Sequence, residues 1–388
     1  MRLTADQSAD VRDTAVYGLA KGWPDDSIAC DAAMRLATDQ NLDVRRSVAY
    51  ALAHGWPGPF ATRDVASGLP NAARIAPEDV AQSRPDHVEV REALVRLAAD
   101  QSADVREVAV GQLATGWPGD SVARDAAVHA AADQSADVRR SAASALPQGW
   151  PGDAIARDAL LRLAADQSAD VRDTAVYGLA KGWPGDPGAR DAVVRLAADQ
   201  STDIRNSVAS ALAQGWPGDS MALDFVLRLA GAPAIRGAAA SALAQGWPRD
   251  SVAQKAVLRL TEALDADVRG KAAAGLASGW PGPLEVRDAV LRLATDHNAD
   301  VRRAVAGALE RGWVDDLDIR GAVLRLAADQ NADVRLSAAS ALARVWPGDR
   351  VARDALVRLA DDQYDVVRQH AAELLDPMPA PETEGPLR

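Results

Sequence analysis

Ala165–Pro184 reads ADQSADVRDTAVYGLAKGWP, and the same twenty residues stand at Ala5–Pro24. Degraded copies fill most of the remaining chain. Self-similarity at a fixed spacing is the signature of a repeat array. Tryptophan marks the register, at Trp23, Trp56, Trp117, Trp150, Trp183, Trp216, Trp247, Trp280, Trp313 and Trp346. The spacing is 33 residues except for 61 between Trp56 and Trp117 and 31 between Trp216 and Trp247.

One unit, Asp153–Gly182, parses into two helices. Asp153 is positioned to cap the first, AIARDALLRLAAD, whose Ile155, Ala159, Leu160 and Leu163 recur at helical spacing. Asp158 and Arg162 stand four apart, acid first, as on an exposed helix face. Gln167–Ala169 is a short polar break. Asp170 is expected to cap the second helix, VRDTAVYGLAK, with Val171, Ala175, Gly178 and Leu179 inward. Gly182 suits a left-handed helix end, Trp183 its hydrophobic contact, and Pro184 bars continuation. A single antiparallel hairpin of this kind cannot bury its apolar faces; stacked neighbours can.

Composition agrees with one elongated array. Of 388 residues, 48% are hydrophobic but only 4% aromatic, so Ala, Leu and Val supply the core. Lys and Arg number 43 against 55 Asp and Glu, a net charge of −12, which argues against a nucleic-acid groove because phosphate contacts need a basic stripe. Cys30 is the single cysteine, which excludes an intramolecular disulfide or a cysteine metal cluster and fits a reducing compartment. No signal peptide, lipidation motif or apolar run of membrane-spanning length is present, so a cytoplasmic, non-membrane location is expected.

Four departures from regularity stand out. Met1–Gln7 matches only Leu161–Gln167, the end of a first helix. Either the chain continues a longer protein, or something else covers this layer. Residues 57–86, with Pro70, Pro77 and Pro85, form an irregular insertion, readable as a functional loop or as a decayed half-repeat. Around Arg228–Arg236 the unit is two residues short, which predicts a local change of twist. The last second helix, Val367–Leu375, is more polar and reads as an end cap, and residues 377–388 read as a disordered Pro-rich tail.

The unit lacks the Thr-Pro-Leu-His of ankyrin repeats and the Gly/aromatic pattern of tetratricopeptide repeats. Leu160–Asp166 (Leu-x-x-Leu-Ala-x-Asp) followed by Asp170–Ala175 (Asp-Val-Arg-x-x-Ala) resembles the HEAT repeat, especially its short bacterial, PBS-lyase-type form. The resemblance implies an all-α fold: a right-handed α-solenoid of about ten 33-residue helical hairpins over residues 1–376. It also implies a structural Asp–Arg ladder. By position its pairs are Asp39 with Arg45, Asp100 with Arg106, Asp133 with Arg139, Asp166 with Arg172 and Asp199 with Arg205, and the pairing should fail at Arg236 and Arg269. The recurring Gly-Trp-Pro is similar to arrays that follow the nucleotide-binding module of bacterial NACHT-type NTPases, where the array is expected to be the sensor. This chain has no phosphate-binding Gly-x-x-x-x-Gly-Lys-Ser/Thr loop.

No catalytic constellation is legible. His54, His87, His129, His297 and His370 lie in different units and none precedes a Glu, so no metal and no cofactor is expected. HEAT-like bilin lyases and DNA glycosylases are the enzymatic alternative. The chain nevertheless carries neither a basic cleft nor a readable nucleophile, and one Trp per unit reads as packing. Variation between units is more informative. Asp13, Arg46, Glu107, Arg140, Asp173, Asn206 and Arg303 share one second-helix place, and Tyr17, Tyr50, Gly111, Ser144, Tyr177 and Ser210 another, four residues on. Lys21, His54, Thr115, Gln148, Lys181, Gln214 and Arg311 belong to a third. Spaced by four, these places make one stripe per helix. The HEAT resemblance implies that second helices line the concave side, so these places are expected to form a mixed-charge concave surface for a protein or peptide partner, with the tyrosines as anchors; free drift on a solvated face is the other reading.

Overall fold

A computed structural model describes residues 2–24, 26–56, 87–309, 313 and 316–376. The expectations for 57–86, 377–388 and Arg311 fall outside the described residues. Among them, every regular element is helical: a short 3-10 turn Arg2–Ala5, the helix Ala9–Gly22, and then ten helical hairpins from Ser27–Arg35/Leu42–Gly55 to Arg350–Leu359/Asp365–Leu375. The chain divides into two compact units, Met1–Leu196 and Ala197–Arg388. Each is an α-solenoid stack in which second helices pack directly on the second helices of neighbouring repeats. No described helix is long and apolar enough to cross a membrane.

The Asp153–Gly182 repeat shows why these residues fold this way. The Asp153 carboxylate accepts the Ala156 N–H at 2.9 Å and opens the helix Ala154–Leu163. The buried face is Ala156, Ala159, Leu160 and Leu163. Ile155, expected inward, is 49% exposed, because Ala156 occupies the inward place one residue on. The second helix runs Ala169–Gly182 and begins one residue before Asp170, with Ser168 at the N-cap. Asp170 is therefore a first-turn acid, favourable against the helix dipole, and not the cap. Val171, Ala175, Val176, Gly178 and Leu179 are buried.

Gly-Trp-Pro-Gly divides its labour differently from the sequence expectation. Gly182 is the last helical residue, without a positive φ, and what it permits is close approach: a Cβ there would stand 2.9 Å from Pro147 Cβ of the preceding repeat. The left-handed residue is Gly185, at φ +78°. Trp183, Pro184, Gly185 and Asp186 form a turn closed by Asp186 N–H to the Trp183 carbonyl at 3.2 Å, with Pro second and Gly third, as a type II turn requires. The turn glycine also links layers. Gly119 N–H donates to the Gly149 carbonyl at 2.9 Å and Gly152 N–H to that of Gly182 at 3.0 Å. The indole N–H closes some hairpins on themselves, from Trp150 to the Asp120 carbonyl at 2.8 Å, from Trp183 to that of Asp153 at 3.1 Å and from Trp247 to that of Asp219 at 3.0 Å, whereas the buried indoles of Trp56, Trp280 and Trp313 have no such partner. Trp150 and Trp183 are accordingly buried, whereas Trp23 is 58% exposed.

The ladder runs between repeats. Arg139 places Nε and Nη2 on the two oxygens of Asp166, at 2.6 and 2.9 Å, while its Nη1 donates to the carbonyls of Asp133 and Gln134 in its own turn. Asp133 and Arg139 of one repeat thus meet through the Asp backbone, and the carboxylate belongs to the arginine of the preceding repeat. Arg12–Asp39, Arg45–Asp100 and Arg106–Asp133 repeat the geometry in the first unit at 2.6–2.7 Å. Arg269–Asp296, Arg302–Asp329 and Arg335–Asp362 repeat it in the second at 2.7–2.8 Å. Arg172 and Arg205 likewise donate to the Asp166 and Asp199 carbonyls. Arg269, expected unpaired, has its rung, because the Asp it needs lies in the following unit. The same carboxylates accept the turn N–H two residues on, Asp166 from Ser168 at 2.8 Å. The Arg45–Asp100 rung, with Leu42–Gly55 packed on Ala103–Gly116, joins the repeats on either side of the insertion directly.

A second ladder was not read from the sequence. Arg91, Arg124 and Arg157 of successive first helices pair with Asp120, Asp153 and Asp186, the capping aspartates of the next, at 2.7, 2.9 and 3.0 Å. Arg287–Asp316 and Arg320–Asp349 continue it in the second unit. Its signal is the constant 29-residue step from Arg to Asp.

Candidate protein-binding surface

In the first unit the stripe residues share one side of consecutive second helices, because the inward positions of each are filled by Ala, Val and Leu. Tyr17, Tyr50 and Tyr177 are 58, 48 and 41% exposed. The Tyr50 ring lies against His54, centroids 4.1 Å apart and nearly parallel, and Lys21 Nζ stands 6.0 Å over the Tyr17 ring. Each tyrosine offers a large, rigid, amphipathic ring with only two χ angles to fix on binding.

The charged row behaves less uniformly. Arg46 is exposed and reaches Asp43 of its own helix at 3.1 Å. Glu107 and Arg140 are half-buried and join across repeats at 2.9 Å, beside a Ser141 hydroxyl that donates to the Glu107 carbonyl. Asp13 and Asp173, also half-buried, each keep a buried Oδ1 without a hydrogen-bond partner. From Asp13 through Arg46, Glu107 and Arg140 to Asp173 the sign alternates from one repeat to the next. Asn206 and Arg303 belong to the second unit, where Arg303 is exposed near Asp300 at 3.6 Å.

In the second unit the charged place holds Asn206, Gly237, Gly270, Arg303, Leu336 and Gln369, and the tyrosine place Ser210, Ser241, Ala274, Gly307, Ser340 and Glu373. Gly237 is covered by Lys271, whose Cδ would lie 2.9 Å from an added Cβ.

No described group of three or more His, Cys, Asp or Glu could hold a metal ion. Cys30 is buried in the helix Ser27–Arg35, and burial pushes its thiol up to about 12, with Asp31 and Glu89 adding to the effect. It is an unreactive core residue.

A family model for HEAT repeats matches residues 90–180, 157–244 and 310–376. Among solved structures, Kap95p, in a complex with RanGDP, is similar to this chain with 15% identity and a TM-score of 0.58, covering 94% of this chain and 53% of Kap95p. The chain therefore spans about half of Kap95p. A chain of the AP-3 complex, in an intermediate open conformation, is similar with 11% identity and a TM-score of 0.52, covering 95% of this chain and 72% of that one. These likenesses show the fold alone. No curated protein matches the chain. The matched stretches together span more than half of the sequence, and the inter-repeat rungs and stacked hairpins bear out what they imply: the chain belongs to the HEAT-repeat family.

Proposed function

We propose that the chain is a non-catalytic binding array that takes a protein or peptide along the second-helix face of residues 9–182. Tyr17, Tyr50 and Tyr177 are the anchors, and Arg46, Glu107, Arg140 and Asp173 set register. The observation that carries this reading is the contrast between units: in the first, the charged place holds alternating Asp13, Arg46, Glu107, Arg140 and Asp173 and the next place three tyrosines beside Gly111 and Ser144, whereas in the second Arg303 is the one cation at the first place and no tyrosine stands at the other. Second helices packed closely through Gly and Ala suit the inner, concave row of such a stack. Kap95p, which binds RanGDP, shows that the fold can serve a protein partner. A sensor role within a larger signalling or defence protein, as in NACHT-type NTPases, is the specific form we favour.

The test is affinity purification with the whole chain and with Tyr17→Ser/Tyr50→Ser/Tyr177→Ser and Arg46→Glu/Arg140→Glu variants. Partners recovered by the parent and lost by both variants support the reading. Undiminished recovery by both would place the interface elsewhere. The intact mass of the endogenous protein addresses the larger-receptor form, which needs a value well above 40.7 kDa.

A further inference from the structure

Both ladders are interrupted over successive repeats of the second unit: Arg205, with Ala232 in the place of its Asp, puts its guanidinium on the Asp199 and Gln200 carbonyls and the Thr202 hydroxyl, and Arg236 goes without a carboxylate too. Arg236 is the first residue of the helix Arg236–Gly246 and takes the ladder place that Arg139 and Arg302 hold as the fourth residues of theirs. The residue 27 further on is Asp166 or Asp329 for those arginines, but Ala263 for Arg236. The shortened turn also withdraws the loop carbonyls that other ladder arginines bind. Among the described residues, nothing pairs with the Arg236 guanidinium. In the first-helix ladder, Leu223 and Gln254 stand in the arginine places.

Further departures fall on the same spot. Lys255 replaces the acid carried by other repeats as Asp125, Asp158 or Asp288. Leu264 replaces Gln134, Gln167 or Gln330 and is fully exposed, at 101%. The outcome is a groove of about 770 Å³ with walls of Leu227, Val252, Leu260 and Leu264 and with Arg236 and Lys255 on its polar side. Arg259 and Glu262 also line it and cancel in charge. A chain of net charge −12 thus holds here a cationic, apolar groove, lined by the first helix Ser251–Leu260 and the turn that follows it.

We propose that this groove docks a short acidic segment of a partner protein, an Asp or Glu flanked by apolar side chains. Its carboxylate takes on Arg236 the place that the ladder Asp takes on the intact rungs, accepting two N–H bonds from one guanidinium. The apolar neighbours cover Leu264 and Val252, and Lys255 adds selectivity for negative charge. Charge complementarity and the vacated rung select this occupant. The site is independent of the tyrosine face, and either can fail alone.

The experiment is fluorescence anisotropy of the full chain with fluorescein-labelled Ser-Leu-Asp-Leu-Glu-Gly and with its Asn/Gln counterpart. Saturable binding is expected, weakened at least about tenfold by the amide peptide, by Arg236→Ala and by Lys255→Asp. Ala263→Asp is the decisive variant: it supplies the missing carboxylate from within, so it should abolish peptide binding while slowing amide exchange in Arg236–Gly246. That gain in protection separates occlusion from misfolding. Absence of saturable binding up to about 1 mM, or binding untouched by Arg236→Ala and Ala263→Asp, overturns the proposal. So does sedimentation showing self-association that Ala263→Asp abolishes, which would make the occupant a second copy.

Discussion

Gly18 and Gly178 occupy the same place in two identical twenty-residue sequences, yet the same substitution should have opposite effects at them. An added Cβ at Gly18 meets nothing within 4 Å. At Gly178 it would stand 2.9 Å from Leu160 Cδ2, 3.0 Å from the Ala143 carbonyl oxygen and 3.3 Å from Pro147 Cγ. Alanine inside a helix is favoured over glycine by about 0.5–1 kcal/mol, and at Gly18 that gain is unopposed. At Gly178 the leucine methyl can swing aside, but the carbonyl is backbone and the proline ring is fixed. Overpacking of this kind costs about 1–3 kcal/mol, which leaves a net loss of roughly 1 kcal/mol after the propensity gain.

A stacked array need not unfold in one step, so the readout must be local. Hydrogen exchange followed by mass spectrometry resolves the helices Ala9–Gly22 and Ala169–Gly182 separately. Gly18→Ala should slow opening of the first by about two- to fivefold, and Gly178→Ala should speed opening of the second by about fivefold, since 1.4 kcal/mol is a factor of ten in an equilibrium. If Gly178→Ala slows exchange as Gly18→Ala does, the layers have slack and close approach does not set their spacing. That result would refute the account of the glycines given above.

Three further outcomes follow from the same geometry. Asp39, Asp133, Asp329 and Asp362 are held below the usual carboxylate range, first by hydrogen bonds from Arg12, Arg106, Arg302 and Arg335. A lowered folded-state pKa gives stability that is present above the unfolded value of about 4 and lost as pH falls through the folded value; the thermal midpoint should hold steady above about pH 5, fall below pH 4, and fall less in Asp133→Asn. Arg249 holds φ +76° at the place of Gly152 and Gly185, so Arg249→Gly should stabilise its repeat by about 1 kcal/mol, read as slower exchange in Ser251–Leu260. Trp23 is exposed and the other described tryptophans are not, so Trp23→Phe should remove most acrylamide-quenchable, red-shifted fluorescence.

The hairpins, their number and their buried faces were legible because tryptophan spacing and helical periodicity both repeat. The direction of the ladder was not. Arg139 follows Asp133 by six residues and precedes Asp166 by 27, and those two steps make up one period. In a strictly periodic chain the two pairings predict the same residues. Only the departures separate them: Arg269 keeps its rung although Ala263 precedes it, and Arg45 finds Asp100 across the insertion. The glycines pose a similar problem. Gly182 and Gly185 both flank Trp-Pro, and their different jobs, close approach and positive φ, depend on a neighbouring layer that no single unit contains. Ile155 was misplaced because Ala156, too small to register as a core residue, fills the inward position.

Drift is the competing explanation for every irregularity in such an array, and the distribution of changes weighs on it. Independent drift would scatter substitutions over exposed places in proportion to their number. Instead Ala263, Lys255 and Leu264 fall on one groove, beside a turn shortened at the same point, and each moves it towards positive charge or apolar surface. Ala263 lies within the ladder, where arginines such as Arg12, Arg45, Arg106, Arg139, Arg269, Arg302 and Arg335 keep a bidentate carboxylate. Losing one there leaves an arginine without its partner, a cost that free drift on a solvated face would not incur. Restoring the rung with Ala263→Asp therefore weighs stability directly against binding. A gain in protection together with loss of the acidic peptide would mean that the open rung serves recognition, whereas a gain in protection with peptide binding intact would return the site to drift.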